Sequence, residues 1–300
     1  MNLLRVVTLG WLSCTLFACG EASVVADDDS LLAQQTATPD AGDDAGAQPS
    51  GACDRTCLID HVQKYLDALV AKDFKRLPVA STLKYTENGR VVQPGEGLFR
   101  TASSLVATAR LDFADPVQGQ VATQVVVNES GTTPVIYSAR LKVVNHQITE
   151  IEAMAVRRQG AANGFFNPAK MVPEPAFLAP VDAQKRMTRE ALNAVTEQYL
   201  DYLEGKRKAQ QVPFGATCKR YENGQVTASG LSAFNGQNFW RFQVTRRTLI
   251  IDEEAGITWG MYPFTQAATG LVVGEAFKVV EGKITMIQAV MANQPTKVWD

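Results

Sequence analysis

A six-residue stretch occurs twice in this 300-residue chain, as Lys84-Tyr-Thr-Glu-Asn-Gly89 and as Lys219-Arg-Tyr-Glu-Asn-Gly224. Each copy ends in Asn-Gly, which indicates a turn because both residue types tolerate a positive φ. The flanking segments also correspond, and the spacing between equivalent residues rises only from 134 positions before the stretch to 137 beyond it. The sequence therefore predicts two versions of one domain, joined end to end with few insertions.

A helical pattern precedes each copy of the stretch. In the first, Asp54 is a candidate N-cap, and the apolar face that follows is Leu58, Val62, Tyr65, Leu66 and Leu69. In the second, the helix is predicted to open near Asp182, and its face is Leu192, Val195, Tyr199, Leu200 and Leu203. Each domain is thus expected to begin with an amphipathic helix that carries one inward tyrosine.

Alternating strand patterns fill the rest of each copy, over residues 121–127 and 136–144 in the first and 239–251 and 271–280 in the second. Between helix and strands, Arg110 and Asp115 have the spacing of Arg247 and Asp252. The predicted fold class is therefore α+β, with domain 1 at residues 52–158 and domain 2 at 182–295. Residues 159–181 contain several prolines and are predicted to form a stiff linker on the surface.

The N-terminal segment has the pattern of an export signal rather than of a membrane span, with Arg5 before an apolar run. Leu16-Phe-Ala-Cys19 is similar to a bacterial lipobox, in which cleavage precedes the cysteine. This predicts a signal peptide at 1–18, an acylated Cys19, and attachment to the bacterial envelope, at the outer membrane or cell surface. Ordinary secretion is the alternative. Residues 19–51 are acidic and poor in apolar side chains, so we expect a flexible tether.

Composition excludes some classes of function. The formal charge is −2, and acidic and basic residues are dispersed, which argues against nucleic-acid binding. Neither a glycine-rich phosphate loop nor a metal-ligand spacing is recognisable, so we expect no cofactor and no metal. Cys53 and Cys57 lie at a helix start, about 6 Å apart, and an exported protein favours a disulfide there. A zinc site is not expected, because no further pair of ligands is apparent beside them.

Three features carry a family resemblance: the Cys-Asp-Arg-x-Cys-Leu opening, the Tyr-x-Glu-Asn-Gly stretch, and Arg-Arg…Asp-Glu-Glu-x-Gly between Arg246 and Gly256. With one long helix before a long-stranded sheet, they resemble the NTF2-like fold and a family of exported SnoaL-like proteins. The resemblance implies, for each domain, a long helix packed on a curved antiparallel sheet. Dimers of this fold usually pack sheet against sheet, which leaves an intramolecular pseudo-dimer open. Relatives include isomerases, cyclases, dehydratases and binding proteins, so fold does not select an activity.

Few residues are candidates for catalysis. His61 lies on the apolar face of the first helix, where it is either a general acid or base or a core histidine. Asp112 and Asp115 are candidate partners for proton abstraction, although Asp115 recurs as Asp252 and fits a turn as well. His146 falls in the closing hairpin turn and is expected to be exposed and inert.

The candidate ligand-binding residues are Tyr65, Arg110, Tyr199, Trp240, Arg247, Asp252 and Trp259. The leading function is binding of a small, mostly apolar ligand or of a partner protein whose identity the sequence does not indicate. The alternative is an isomerase, cyclase or dehydratase that uses His61 with Asp112 or Asp115. The second copy has Val195 in place of His61, which favours binding.

Overall fold

A computed structural model describes residues 52–235, 243–265 and 270–295. The predicted signal peptide, Cys19, the tether and Trp240 lie outside these ranges. Within them, no helix is both long enough and apolar enough to cross a membrane.

Domain 1 consists of one long helix and a six-stranded sheet. Helix α1 spans Arg55–Ala71. The strands are β1 (Val79–Glu87), β2 (Arg90–Val91), β3 (Ala102–Asp115), β4 (Gln120–Glu129), β5 (Thr133–Val144) and β6 (Gln147–Val156). Their order across the sheet is β2-β1-β6-β5-β4-β3. Neighbouring strands are antiparallel except β1 and β6, which run parallel, so the sheet is mixed rather than purely antiparallel.

Domain 2 repeats this architecture. The connection contains a short helix α2 (Pro175–Leu178), and α3 (Arg189–Leu203) is the equivalent of α1. The remaining elements are β7 (Phe214–Glu222), β8 (Gln225–Ser229), α4 (Leu231–Asn235), β9 (Thr248–Asp252), β10 (Ile257–Phe264), β11 (Leu271–Val280) and β12 (Lys283–Asn293). The sheet order is β8-β7-β12-β11-β10-β9, the same path as in domain 1. The predicted tandem duplication and α+β fold class are confirmed.

The strand register aligns the two domains residue by residue. Tyr85 pairs with Ile151 in domain 1, and Arg220 pairs with Ile287 in domain 2. Because Ile151 and Ile287 occupy the same place in the repeated closing hairpin, Tyr85 and Arg220 are structurally equivalent. The repeated sequence stretch therefore forms the same strand and turn in both domains.

Local hydrogen bonds fix where the two long helices begin. Asp54 caps α1, its Oδ1 accepting a hydrogen bond from the Cys57 amide at 2.8 Å, as predicted. The prediction that the second helix opens near Asp182 is wrong, since α3 begins at Arg189. Its cap is Thr188, whose hydroxyl accepts from the Ala191 amide. Asp182 instead precedes a short 3-10 turn.

The two sheets pack against each other through the faces that do not carry α1 and α3. Phe113 of domain 1 stacks on Trp259 of domain 2, with ring centroids 6.2 Å apart. Around this pair lies one apolar cluster drawn from both domains, including Leu111, Ile136, Met154, Ile257, Met261 and Val290. The two copies thus form an intramolecular pseudo-dimer.

The linker is more buried than its proline content predicts. Met171 and Phe177 are only 2% and 1% exposed, and both belong to the cluster between the sheets. The Val181 amide donates to the carbonyl of Glu254 at 2.9 Å. Prolines restrict φ but do not keep the side chains between them in solvent, so the predicted surface linker is partly a component of the core.

Candidate functional site

Asp115, a candidate catalytic base, is a buried residue whose carboxylate connects the two domains. It is fully buried and accepts two hydrogen bonds from the Arg189 guanidinium, at 2.9 and 2.7 Å. A third comes from the amide of Ile251 at 3.0 Å. These three donors belong to domain 2, and the Gln118 amide of the β3–β4 turn donates a fourth hydrogen bond at 3.0 Å, so the carboxylate connects its own turn to the interface.

The same contact recurs with the domains exchanged. Asp252 is also buried, and it accepts from the guanidinium of Arg55 and from the amide of Ala114. Arg55 and Arg189 are the first residues of α1 and α3. Each helix therefore begins with an arginine that forms an ion pair with the buried aspartate of the other domain. Asp252 is thus an interface residue here, rather than part of a described ligand pocket.

The remaining arginine and aspartate candidates are also engaged in ion pairs. Arg110 binds Asp112 of its own strand, with the closest nitrogen and oxygen 2.8 Å apart. Arg247 crosses to domain 1 and donates both terminal nitrogens to Glu152, at 2.9 and 2.8 Å. Arg110 and Arg247, although similarly spaced from an aspartate in sequence, therefore have different partners.

His61 is buried on the inner face of α1, and its Nδ1 has no hydrogen-bond partner among the described residues. Burial lowers the pKa of His61, and the neighbouring Lys64 and His146 lower it further, while Asp60 opposes them. Asp112 and Asp115 bind Arg110 and Arg189 instead. The expected dyad of His61 with either aspartate is therefore not assembled, because each carboxylate is bound by an arginine elsewhere.

Cysteine and histidine side chains converge at the start of α1. Cys53 and Cys57 form a disulfide with Cα atoms 5.3 Å apart, as predicted, whereas Cys218 is a buried thiol. The ligand atoms of Cys53, Cys57, His61 and His146 all lie within 4.8 Å of one another. The expectation that no further ligands flank the cysteines is wrong. His61 lies one helical turn after Cys57, and the turn of the closing hairpin places His146 beside both cysteines.

Aromatic side chains fill the space between α1 and the sheet in domain 1. The hydroxyls of Tyr65 and Tyr137 are hydrogen-bonded at 2.6 Å, and both side chains are fully buried. Phe99 meets Tyr65 edge to face, with centroids 5.6 Å apart. Burial raises the pKa of Tyr65 and of Tyr137 well above the ordinary value, so both remain neutral and serve as packing and hydrogen-bonding groups.

The equivalent space in domain 2 holds charged groups. The hydroxyl of Tyr199 donates to Oε1 of Glu275 at 3.2 Å and accepts from Arg220 at 3.3 Å. Oε2 of Glu275 has no hydrogen-bond partner among the described residues. Burial raises the pKa of Glu275 to about 8, against the opposing effect of Arg220. This carboxyl is therefore mostly protonated at neutral pH.

Glu275 is not among the candidates predicted from the sequence, although the strand pattern contains a signal for it. Val273, Glu275 and Phe277 alternate along β11, and the two apolar residues lie in the core beneath α3. Strand periodicity therefore turns Glu275 inward as well. An acidic residue on the inward face of an apolar strand is a candidate functional group.

A groove of about 580 Å³ opens at the edge of the sheet in domain 1. In the pairing of β1 with β6, Val79 faces Ile148 but Lys84 faces Glu150, so residues 80–83 bulge out of the ladder. The groove lies between this bulge and the segment that follows β2. Its lining is Val79, Ala80, Ser81, Leu83, Lys84, Tyr85, Val91, Val92, Gln93 and Pro94.

Domain 2 has the same bulge but covers it. Strand β8 has five residues where β2 has two, and α4 follows it directly. Phe234 of α4 stacks on Phe214 at 4.1 Å between ring centroids and is fully buried. Cys218 is buried where domain 1 has the half-buried Leu83. The groove of domain 1 is therefore an open version of a site that domain 2 has closed.

Of the two candidate tryptophans, Trp259 lies between the sheets and not in the groove. Tyr65 and Tyr199 are buried in the two domain interiors, and Tyr85 lines both the interior of domain 1 and the groove.

Solved structures similar to this chain each match about one third of it. A candidate ketosteroid isomerase from Kribbella flavida is 18% identical over 37% of this chain and 82% of its own, with a TM-score of 0.29. An LEH-like epoxide hydrolase from M. tuberculosis is 19% identical over 33% and 82%, with a TM-score of 0.25. An NTF2-like protein of unknown function from Cytophaga hutchinsonii is 12% identical over 33% and 89%, with a TM-score of 0.25.

No curated protein is a significant match to this sequence. A protein-family profile, by contrast, matches it twice, at residues 52–155 and 185–291, one match for each domain seen in the structure. The chain therefore belongs to the family described as "Domain of unknown function (DUF8021)", of which it contains two copies.

Proposed function

We propose that this protein is a lipid-anchored envelope protein that binds a small, mostly apolar ligand in the groove of domain 1. The observation that carries the proposal is the groove itself, whose volume of about 580 Å³ suits a small molecule. The apolar part of its walls comes from valines, a leucine and a proline, among them the exposed Val91.

The polar groups of the groove favour a ligand with one acidic group. Lys84 contributes a positive charge, while Ser81 and Gln93 contribute a hydroxyl and an amide that can orient the ligand. A largely apolar molecule that ends in a carboxylate or sulfonate would cover the valines and place its charge beside Lys84. The ligand class is therefore an amphipathic acid.

Domain 2 supports this site rather than duplicating it. Phe234 closes the equivalent groove, and the buried ion pairs of Asp115 and Asp252 hold the two sheets together. A rigid backing is useful to a binding site, because a site that is already ordered loses less conformational entropy when a ligand binds.

The anchor is proposed from the sequence alone, on the lipobox that ends at Cys19. Cys19→Ser should abolish metabolic labelling with palmitate and release the protein from the membrane fraction. Unchanged labelling of the variant would contradict acylation at this cysteine, while leaving the groove unaffected. A partner protein in place of a small ligand is the alternative occupant, and absence of stoichiometric dye binding in the titration below would favour it.

An amphipathic fluorescent acid, 1-anilinonaphthalene-8-sulfonate, tests the groove. We expect one site per chain, and we expect Val91→Asp to weaken binding by about tenfold or more because it places a negative charge in an apolar wall. The matched control is Val226→Asp, the equivalent exposed position on β8, which should leave binding unchanged. Equal losses in both variants, or no loss in Val91→Asp, would refute the site.

A second candidate function is acid–base chemistry in domain 2, and the buried carboxyl of Glu275 favours it. A group with a pKa of about 8 can hold or release a proton near neutral pH, and Tyr199 and Arg220 orient it. This arrangement replaces the expected pairing of His61 with Asp112 or Asp115. Glu275 would then serve the isomerase, cyclase or dehydratase that the sequence suggests as the alternative function.

Carbonyl-13C NMR of the glutamate side chains tests the second candidate directly. Glu275, assigned by comparison with Glu275→Gln, should titrate near pH 8, and its resonance should shift when a small ketone reaches the interior. A carboxyl that titrates near pH 4.5, or one that responds to no compound in a panel of ketones and enones, would remove the support for chemistry at this site.

A further inference from the structure

The cluster at the start of α1 has the composition of a zinc site. Two cysteine sulfurs and two imidazoles are the ligand set of many structural Zn²⁺ sites. Here Cys53 immediately precedes the N-cap of α1, Cys57 and His61 lie one turn apart within the helix, and His146 approaches from the β5–β6 turn. Nothing in the binding groove or in the interior of domain 2 involves these four residues.

We propose that domain 1 binds one Zn²⁺ through Cys53, Cys57, His61 and His146 when the disulfide is reduced. All four ligand atoms already lie within 4.8 Å of one another. In a tetrahedral zinc site, neighbouring sulfur and nitrogen ligands are about 3.6 Å apart. Cys57 Sγ and His146 Nδ1 lie 3.4 Å apart, which is close to that separation.

An independent observation points to a ligand at this place. His61 is only 3% exposed, and its Nδ1 has no hydrogen-bond partner among the residues that the structure describes. A buried imidazole nitrogen without a partner costs free energy, and coordination of a metal ion would satisfy it. His146 adopts a positive φ of 59° in its turn, and the side chain reaches the sulfur of Cys57 from there.

The disulfide and the metal are alternative states of the same two sulfurs. A dithiol reductant transfers two electrons and two protons to the Cys53–Cys57 bond, which becomes two thiols while the reductant becomes a disulfide. Zn²⁺ then displaces the two thiol protons and binds two thiolates together with the neutral imidazoles of His61 and His146. The divalent charge of the ion is thereby neutralised, and two protons are released to solvent.

The two states differ in what they connect. The disulfide joins residues only four positions apart, both at the start of α1. The metal would also tie the helix to the β5–β6 turn through His146. Domain 2 joins the equivalent helix start and hairpin turn with different residues. Met187 and Gly282 lie where domain 1 has Cys53 and His146, and the Gly282 amide donates to the Met187 sulfur at 3.2 Å.

The test uses the full chain in detergent, with Cys14→Ser, Cys19→Ser and Cys218→Ala so that Cys53 and Cys57 are the only cysteines. After reduction and removal of the reductant without air, Zn²⁺ is titrated against a chromophoric chelator. We expect one Zn²⁺ per chain. Co²⁺ should give the visible bands of a tetrahedral site and a thiolate charge-transfer band, and oxidation to the disulfide should abolish both.

The residues of domain 2 provide the variants. His61→Val and His146→Gly should each weaken zinc binding by at least about tenfold, since each removes a ligand. His61→Val lies in the core and His146→Gly on the surface, so at least one of them is expected to fold normally, as checked by circular dichroism. Absence of stoichiometric zinc in the reduced parent, a cobalt spectrum without the thiolate band, or wild-type affinity in a folded histidine variant would overturn the proposal.

Discussion

The two domains share one backbone plan but fill it differently, and the contrast separates what the fold requires from what is added to it. Both helices carry a central tyrosine, Tyr65 or Tyr199, whose hydroxyl points into the interior. In domain 1 this hydroxyl meets another tyrosine, Tyr137. In domain 2 it meets Glu275, which lies where domain 1 has Ala139. The helix residue is constant, and its partner moves from Tyr137 of β5 to a position two residues further along the equivalent strand β11.

The comparison also extends to the sheet edge. A short β2 leaves the bulge of domain 1 open, while a longer β8 and Phe234 cover the bulge of domain 2. Domain 1 therefore combines an interior of paired tyrosines with an open groove, and domain 2 combines a glutamate and an arginine in its interior with a closed edge. The duplicated chain has placed two different candidate sites at two different positions of the same fold.

The largest effect on stability is expected at the interface aspartates, Asp115 and Asp252, which make equivalent contacts in the two domains. Asp115→Ala and Asp252→Ala each leave an arginine without its buried partner and backbone amides without an acceptor. Each should lower the free energy of unfolding by about 3–5 kcal/mol, measured by urea denaturation.

Asp112→Ala is the control for these two variants, because Asp112 pairs with Arg110 near the surface. Its loss should cost no more than about 1 kcal/mol. If Asp252→Ala were tolerated while Asp115→Ala was not, the two halves of the interface would not be energetically equivalent, despite their matching contacts.

The next largest effect on stability should distinguish the interiors of the two domains, through the buried carboxyl of Glu275. Burial in the folded state raises the pKa of Glu275 to about 8. Between the pKa of this carboxyl in the unfolded chain and pH 8, the group is therefore protonated in the folded protein and ionised in the unfolded chain. Stability from this group is therefore present at low pH and lost as pH rises. Compared with a carboxyl whose pKa is unchanged by folding, Glu275 lowers the free energy of unfolding at pH 7 by about 3 kcal/mol.

Glu275→Gln removes that titration and should stabilise the protein at pH 7, by less than the full cost because a buried amide still needs hydrogen bonds. The gain should disappear near pH 4, as measured by denaturation at several pH values. The reciprocal Ala139→Glu variant should introduce the same pH dependence into domain 1. A gain from Glu275→Gln that does not change with pH would show that the carboxyl is not protonated in the fold.

Local sequence patterns predicted the parts of the molecule that depend on local structure. The inward face of α1, the cap at Asp54 and the Asn-Gly turns all follow from spacing and backbone preference. The duplication followed from repeated short stretches. Even so, the cap of α3 was misplaced: Asp182 and Thr188 are both acceptable cap residues, but Asp182 precedes a separate 3-10 turn and Thr188 accepts the first-turn amide of α3.

The sites were predicted less well because they depend on long-range contacts. The Arg55–Asp252 pair joins residues 197 positions apart, and spacing within one domain gives no indication of it. Asp115 was interpreted as a catalytic or turn residue; the turn hydrogen bond from the Gln118 amide is present, but the pairing with Arg189 of the other domain could not be read from local spacing. The open groove follows from the length difference between β2 and β8, which becomes visible only when both domains are compared in three dimensions.

A smaller effect is expected from the disulfide, which domain 1 has and domain 2 lacks. Cys53→Met with Cys57→Ala, the residues of domain 2 at these positions, should lower stability by about 2 kcal/mol, since a five-residue loop restricts the unfolded chain only modestly. Thermal and urea denaturation in the presence of a chelator measure this. Reduction of the wild-type protein under the same conditions should give a similar loss, and stability equal to that of the oxidised protein would contradict it.

The smallest effect is expected at His61, where domain 2 has Val195. His61→Val removes a buried imidazole whose Nδ1 has no hydrogen-bond partner among the described residues, so it should stabilise the metal-free protein by about 1 kcal/mol. Burial lowers the pKa of His61 in the folded state, so the unfolded chain binds more protons as pH falls below about 6.5. The gain from His61→Val should therefore be larger at pH 5.5 than at pH 8.

The exchange in the opposite direction, Val195→His, tests the same argument in domain 2. Val195 is 6% exposed and packs in the core beneath α3, so the histidine should destabilise the protein, and more strongly at pH 5.5 than at pH 8. Urea denaturation of both variants at the two pH values, with a chelator present, completes the comparison. If His61→Val destabilised the protein while Val195→His was neutral, His61 would make a favourable contact that domain 2 does not need. The fold would then require the histidine even without the zinc ion.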